Sequence, residues 1–172
     1  VPNGTAYVKE AGGWTKLVKP RPSEIDDWTH CLHNPTGNAV SQDRVVAPVK
    51  HLQWFAGPRY GRQHEHMSSV SAVVSAGGRV FSIIDEGSPA SLLLPSDWQL
   101  EAKDAFNGVT LWKRPIAEWF SRYFPMKNGP SILGHRLVAT DKTLYATVGL
   151  NAPISAIDAG TGKTIREYPE TA

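Results

Sequence analysis

The sequence predicts an all-β chain: two tandem four-stranded antiparallel meanders behind an irregular N-terminal lead-in. Three observations carry this expectation. The phrase KDAFNGVTLWKRP (103–115) returns 54 residues later as IDAGTGKTIREYP (157–169), and with the alanine just before each, Ala102 and Ala156, both copies read Ala-x-Asp-x-x-(Asn/Thr)-Gly. The segments before each phrase also recur in order: SAVVSA then GGRVFSIID in the first copy, HRLVAT then DKTLYATVG in the second. These runs are short, rich in β-branched residues and bounded by Gly turns, with little helical periodicity. A fixed-order repeat of about 50 residues built from short strands is the signature of β-propeller blades. The expected fold is therefore a partial propeller of about two blades.

Four segments follow along the chain. Residues 1–20 include GGWTKLVKPRP, read as the end of a hairpin followed by a Pro-rich linker. Residues 21–67 hold five of the six His and four Pro, and are expected to wrap a sheet edge irregularly, with HLQW (51–54) as a strand. Residues 68–116 form the first meander, and 117–172 a connector and the second. In the first meander, Asn107-Gly108 is a strong hairpin signal, because a two-residue type I′ turn needs positive φ at both central positions. It would join arms at 100–105 and 109–113. The first copy carries about ten extra residues in its central connection, EGSPASLLLPSDW.

The repeated phrase has a physical reading. Asp104 and Asp158 would accept backbone N–H bonds at the last bend of each meander, as Asx turns do. Gly108 and Gly162 would supply positive φ. Trp112 would cover the edge between neighbouring blades. The equivalent position in the second copy is Arg166, whose stem covers less, so that seam is expected to be weaker or to face something else.

Length suits one domain or a piece of a larger one. With 41% hydrophobic and 20% charged residues the chain can bury a core, and a net charge of +2 does not suggest a nucleic-acid or membrane-surface binder. No apolar run spans a bilayer. The opening VPNGTAYVKE lacks the basic start and apolar stretch of a signal peptide. The chain starts without Met and is expected to be processed or partial. Its one cysteine, Cys31, forms no internal disulfide, which leaves the redox compartment open.

The pattern Ala-x-Asp-x-x-(Thr/Asn)-Gly-x-x-x-Trp resembles the tryptophan-docking repeat of quinoprotein-type, PQQ-like β-propellers. It is complete at Ala102, Asp104, Asn107, Gly108 and Trp112; in the second copy it holds at Ala156, Asp158, Thr161 and Gly162 and fails at Arg166. KPRPSEIDDWTH, MSSVSAVVSAGGRVF and IDEGSPAS look like the PQQ-like repeat proteins of planctomycete-type bacteria, which are large and mostly of unassigned function. The resemblance implies six to eight blades in the full protein and a periplasmic or extracellular location. It also implies that other blades or subunits complete the sheet here. PQQ or Ca²⁺ is implied only for a full-length parent; no cofactor is expected from these residues alone.

Sites of chemistry are weaker. GTGKT (160–164) invites a phosphate-loop reading, but the first Gly of that motif would fall at Ile157, and no helix follows to receive phosphate. In RQHEHM (62–67), His64 and His66 share one face of an extended segment and, with Arg62, are candidates for ligand binding. His30 and His33 are weak candidates to join them in a metal or haem site. Asp85 and Glu86 would form an ordinary acidic turn, or a carboxylate pair at the propeller mouth for Ca²⁺ or proton transfer. Cys31 beside His30 and His33 would be nucleophilic only if the fold aligned them. EWFSRYF (118–124) supplies four aromatics that either pack under the blades or form a partner interface. The expected function is a non-catalytic binding or scaffold module, with loops 55–67 and 86–98 presenting the surface. The alternatives are part of a PQQ- and Ca²⁺-dependent dehydrogenase, or a metal- or haem-binding electron-transfer module.

Overall fold

Both repeat copies fold as sheets, and their strands line up residue for residue. A computed structural model of the chain describes residues 2–45, 51–57, 69–91, 94–119 and 131–172. An N-terminal hairpin joins β1 (Thr5–Glu10) to β2 (Gly13–Val18). The first four-stranded sheet runs β3 (Val70–Ala76), β4 (Arg79–Asp85), β5 (Trp98–Asp104), β6 (Thr110–Pro115), each strand antiparallel to its sequence neighbour. The second runs β7 (Leu137–Ala139), β8 (Thr143–Thr147), β9 (Ile154–Asp158), β10 (Thr164–Tyr168) in the same manner. A 3₁₀ turn over Ser131–Arg136 leads into β7, and another, Pro169–Thr171, follows β10. No α-helix occurs among the described residues.

Register makes the repeat physical. Ala102 pairs with Trp112 in the first sheet, and Ala156 with Arg166 in the second. Each last strand slips its register beside that pair, at Leu111 and Ile165, again 54 residues apart. A bulge adds local twist and re-aims the next side chain. The repeated phrase thus encodes a bulge as well as a bend.

One apolar core joins the two sheets. Val74, Phe81, Ile83 and Leu100 of the first pack with Leu137, Leu144, Ile157 and Ala159 of the second, all essentially without solvent contact. Small residues at Ala72, Ala76, Ala139 and Ala146 let the sheets approach. Trp119 is fully buried in this core, and its indole N–H donates to Ser71 Oγ at 2.8 Å. The connector before it is pinned by backbone bonds, Ile116 N to Trp98 O and Ala117 N to Val148 O. Trp119 therefore packs under the sheets; Phe120, Tyr123 and Phe124 lie outside the described residues.

Several sequence expectations need correction. The turn at Asn107-Gly108 is not a two-residue type I′ turn. Ala105–Gly108 form a four-residue loop closed by Gly108 N to Asp104 O (2.9 Å) and Asp104 N to Val109 O (2.8 Å), and Gly108 alone in it has positive φ. The arms accordingly end at Asp104 and begin at Thr110. HLQW is not a strand. The N-terminal segment is a whole hairpin, not the end of one, because Gly12-Gly13 turns it back on residues 5–10.

Trp119→Ala is expected to cost about 3–5 kcal/mol, because it empties a buried site of indole size. Trp119→Phe is expected to cost less, by leaving the Ser71 hydroxyl without its donor and a smaller void. Urea unfolding of the two variants and the parent, compared at constant m, measures both.

Candidate functional site

The geometry with the most specific shape is the seam between units. The Trp112 indole lies flat against Gly162: a Cβ built there would fall 2.5 Å from indole Cε3 and 2.7 Å from Cδ2. Only glycine fits, and its φ of 72° is one that side-chain-bearing residues rarely adopt. The indole N–H donates to Ala159 O at 3.0 Å. Arg114, on the same face two residues on, donates to Gly162 O and Thr164 Oγ1 at 3.0 and 3.1 Å. The turn is held rigid for this purpose. Asp158 Oδ1 accepts from Gly160 N, Thr161 N and Thr161 Oγ1, and these bonds hold its carboxyl below the ordinary range, the Thr161 hydroxyl contributing most.

The same dock occurs once more, from a residue that sequence reasoning placed in a strand. Trp54, in the lead-in, lies against Gly108 within 2.7 Å of where a Cβ would stand, and donates to Ala105 O at 3.0 Å. Asp104 Oδ1 accepts from Phe106 N and Asn107 N, as Asp158 does in its own loop. Gln53 adds a bond to Phe106 O. Trp54 thus stands to the first sheet as Trp112 stands to the second. The signal in the sequence was the HLQW phrase itself, 58 residues before Trp112.

A second feature is a strap. Ser75 N donates to Trp28 O at 2.6 Å and Ala139 N to Thr29 O at 3.0 Å, so two successive lead-in carbonyls bridge the outer edges of β3 and β7. Trp28 N returns a bond to Ser75 Oγ. Arg21 grips both oxygens of Asp27 at 3.0 and 2.7 Å, and Asp27 also accepts from Gly77 N. The strap turns back through a bridge between His30 and His33, with His33 at φ 69°. Buried His33 meets Asp26 Oδ2 through Nε2 at 2.6 Å, and its ring tilts against Trp28. Asp26 also accepts from Gln42 N at 2.7 Å, the largest cause of its lowered pKa, ahead of the His33 contact.

These contacts decide the weaker candidates. His30 and His33 do come together, through a β-bridge, but their rings go elsewhere: His30 Nδ1 meets Thr29 Oγ1, and burial lowers its pKa. Cys31 Sγ packs on the 3₁₀ turn, 2.7 Å from a Cβ built at Gly134. The described residues therefore do not align a Cys–His pair. Asp85 is buried, not solvated, and its Oδ1 accepts from Gly87 N and Asp97 N at the base of the long β4–β5 connection. Glu86 pairs with Lys113 instead, so the two carboxylates work apart. Among the described residues no group of three or more His, Cys, Asp or Glu is placed to hold a metal ion. Arg62, His64 and His66 lie outside the described residues.

Gly162→Ala is expected to lower stability by about 1–3 kcal/mol, from φ strain plus displacement of the Trp112 indole. Gly12→Ala, where a Cβ meets nothing within 4 Å, is expected to be near neutral. Denaturant midpoints of the pair test the dock directly. Asp26 and Asp158 both have native pKa values lowered from 3.8. Their contribution is therefore complete above pH 3.8 and is lost as pH falls from there through the lowered native values. Asp26→Asn combined with Asp158→Asn is expected to flatten stability against pH below about 4, read from urea midpoints between pH 2 and pH 7.

Comparison with protein-family models and with curated proteins found no match for this chain.

Proposed function

We propose that this chain is a non-catalytic binding or scaffold module, a run of two blades and a docked lead-in within a larger PQQ-like β-propeller. The observation that supports it best is the doubled dock: Trp54 on Gly108, then Trp112 on Gly162, each with its indole N–H on the residue after the aspartate. A seam repeated with the same atoms is the mark of a stack that extends by addition. The open last strand and the outer face of the second sheet are then where other blades or subunits complete the ring.

In such a ring the first strand of each blade faces the axis. The strap then crosses near that axis, with its Trp28 and Thr29 carbonyls on β3 and β7. The carboxylates described there, Asp26 and Asp27, are engaged by His33, Gln42 N, Arg21 and Gly77 N; a quinone or Ca²⁺ is implied only for a full-length parent. Localisation outside the cytoplasm belongs to the same proposal and rests on the family resemblance. Among the described residues no helix is long and apolar enough to cross a membrane.

Electron microscopy of the longest natural polypeptide that contains this chain is the direct test. Radially arranged four-stranded sheets are expected; two isolated sheets with nothing docked beyond β10 would end the reading. Metal analysis and a visible spectrum of the same material are expected to show no stoichiometric metal or haem, and finding either would replace the scaffold by the electron-transfer alternative.

A further inference from the structure

The last strand of each sheet, β6 and β10, carries one aromatic and one arginine two residues apart, but the order reverses. The first sheet has Trp112 and then Arg114; the second has Arg166 and then Tyr168. The positions are equivalent by register: Trp112 and Arg166 sit opposite Ala102 and Ala156, and Arg114 and Tyr168 opposite Leu100 and Ile154. Around them the second sheet shows the face that the first sheet turns into the core. Tyr145 stands where Phe81 is buried, and Ile154 where Leu100 is buried, yet Tyr145 is 38% exposed and Ile154 37%. The Arg166 guanidinium lies over the Tyr168 ring, 4.9 Å from its centroid.

Resting on the propeller reading, we propose that this face seats a further four-stranded sheet through a seam led by arginine instead of tryptophan. The face continues an interface that already exists within the molecule, which is what identifies the occupant as another sheet of the same kind. The chemistry of that occupant follows from the residue facing it. An indole needs a flat patch left by a glycine. A guanidinium needs oxygen atoms, and Arg114 shows the pattern, taking a turn carbonyl and a threonine hydroxyl of the neighbouring sheet. The occupant's bend therefore presents carbonyl, hydroxyl or carboxylate oxygens to Arg166. The phenol ring of Tyr168, already stacked on Arg166, holds the guanidinium in place while Tyr145 and Ile154 bury their apolar surface.

The test extends the chain at its C-terminus with a second copy of residues 117–172, carrying Tyr145→Phe so that the nitrated peptide reports only the original Tyr145. That copy carries its own bend, with the acceptor oxygens of Asp158, Ala159 and Gly162. Tyr145 nitration by tetranitromethane, located by mass spectrometry, is expected to fall in the extended chain, and the melting midpoint to rise by about 3 °C or more. Arg166→Ala is expected to lower the midpoint of the extended chain by about 2–4 °C and to leave the parent chain, where Arg166 is exposed, unchanged. Protection of Tyr145 with a silent Arg166→Ala would overturn the arginine-led seam while leaving the stacking of sheets intact. Full reactivity of Tyr145 with no rise in midpoint would overturn the seam and the propeller reading together.

Discussion

The structure depends on a flat indole pressed against a bare backbone turn. Dispersion falls off within an ångström, so a large ring gains its full contact only against a surface with nothing protruding. Gly162 gives Trp112 such a surface, and Gly108 gives it to Trp54. The aspartate two positions into each phrase does the rest: by collecting the loop N–H groups it fixes the bend whose carbonyl accepts the indole N–H. Remove the glycine and the ring has no seat. Remove the aspartate and the seat has no fixed shape. The apolar core between the sheets supplies bulk stability, but an apolar face alone tolerates sliding, and the directional N–H bond sets the register of one sheet on the next.

The strap imposes a second constraint at the opposite margin of the sheets. β3 and β7 are edge strands, whose unpaired N–H groups invite pairing with other chains. Trp28 and Thr29 supply one carbonyl to each edge, so the lead-in ties the two sheets together and blunts each edge at that point. The positive φ at His33 is the local cost of folding the strap back, and the hydrogen bond to Asp26 and the ring contact with Trp28 hold it there. His30 and His33 thus both have structural partners within the strap.

Much of this was legible in the sequence because the repeat is written in residues with narrow physical roles. Asp104, Gly108 and Trp112, set against Asp158, Gly162 and Arg166, fixed two equivalent sheets and the odd residue at the second seam. The bend itself was misread: Asn-Gly argues for a two-residue turn only when no nearby carboxylate can close a wider one, and Asp104 does so here. Trp54 was missed as a docking residue because its contact lies more than fifty residues away, and local pattern cannot show a long-range partner. The burial of Asp85 was hidden for a related reason: its carboxylate pins a connection unique to the first copy, so the second copy offered no comparison.

The two faces of the first sheet differ in kind. Toward the second sheet it presents Phe81, Leu100 and Ala102. On the other face stand Ser82, Glu101 and Lys103, with Ser82 donating to Glu101 and Lys103 paired to the same carboxylate, both charged groups nearly excluded from water. The second sheet has Ala146, Ser155 and Ile157 at these positions, facing the first. An apolar face accepts any apolar surface of suitable shape, whereas a desolvated ion pair penalises every partner that leaves one charge uncompensated. The first sheet is therefore restrictive on one face and permissive on the other. Arg166 places a charged residue again at the far end of the pair, after a seam that is apolar except for the Trp112 and Arg114 bonds to the second sheet's bend.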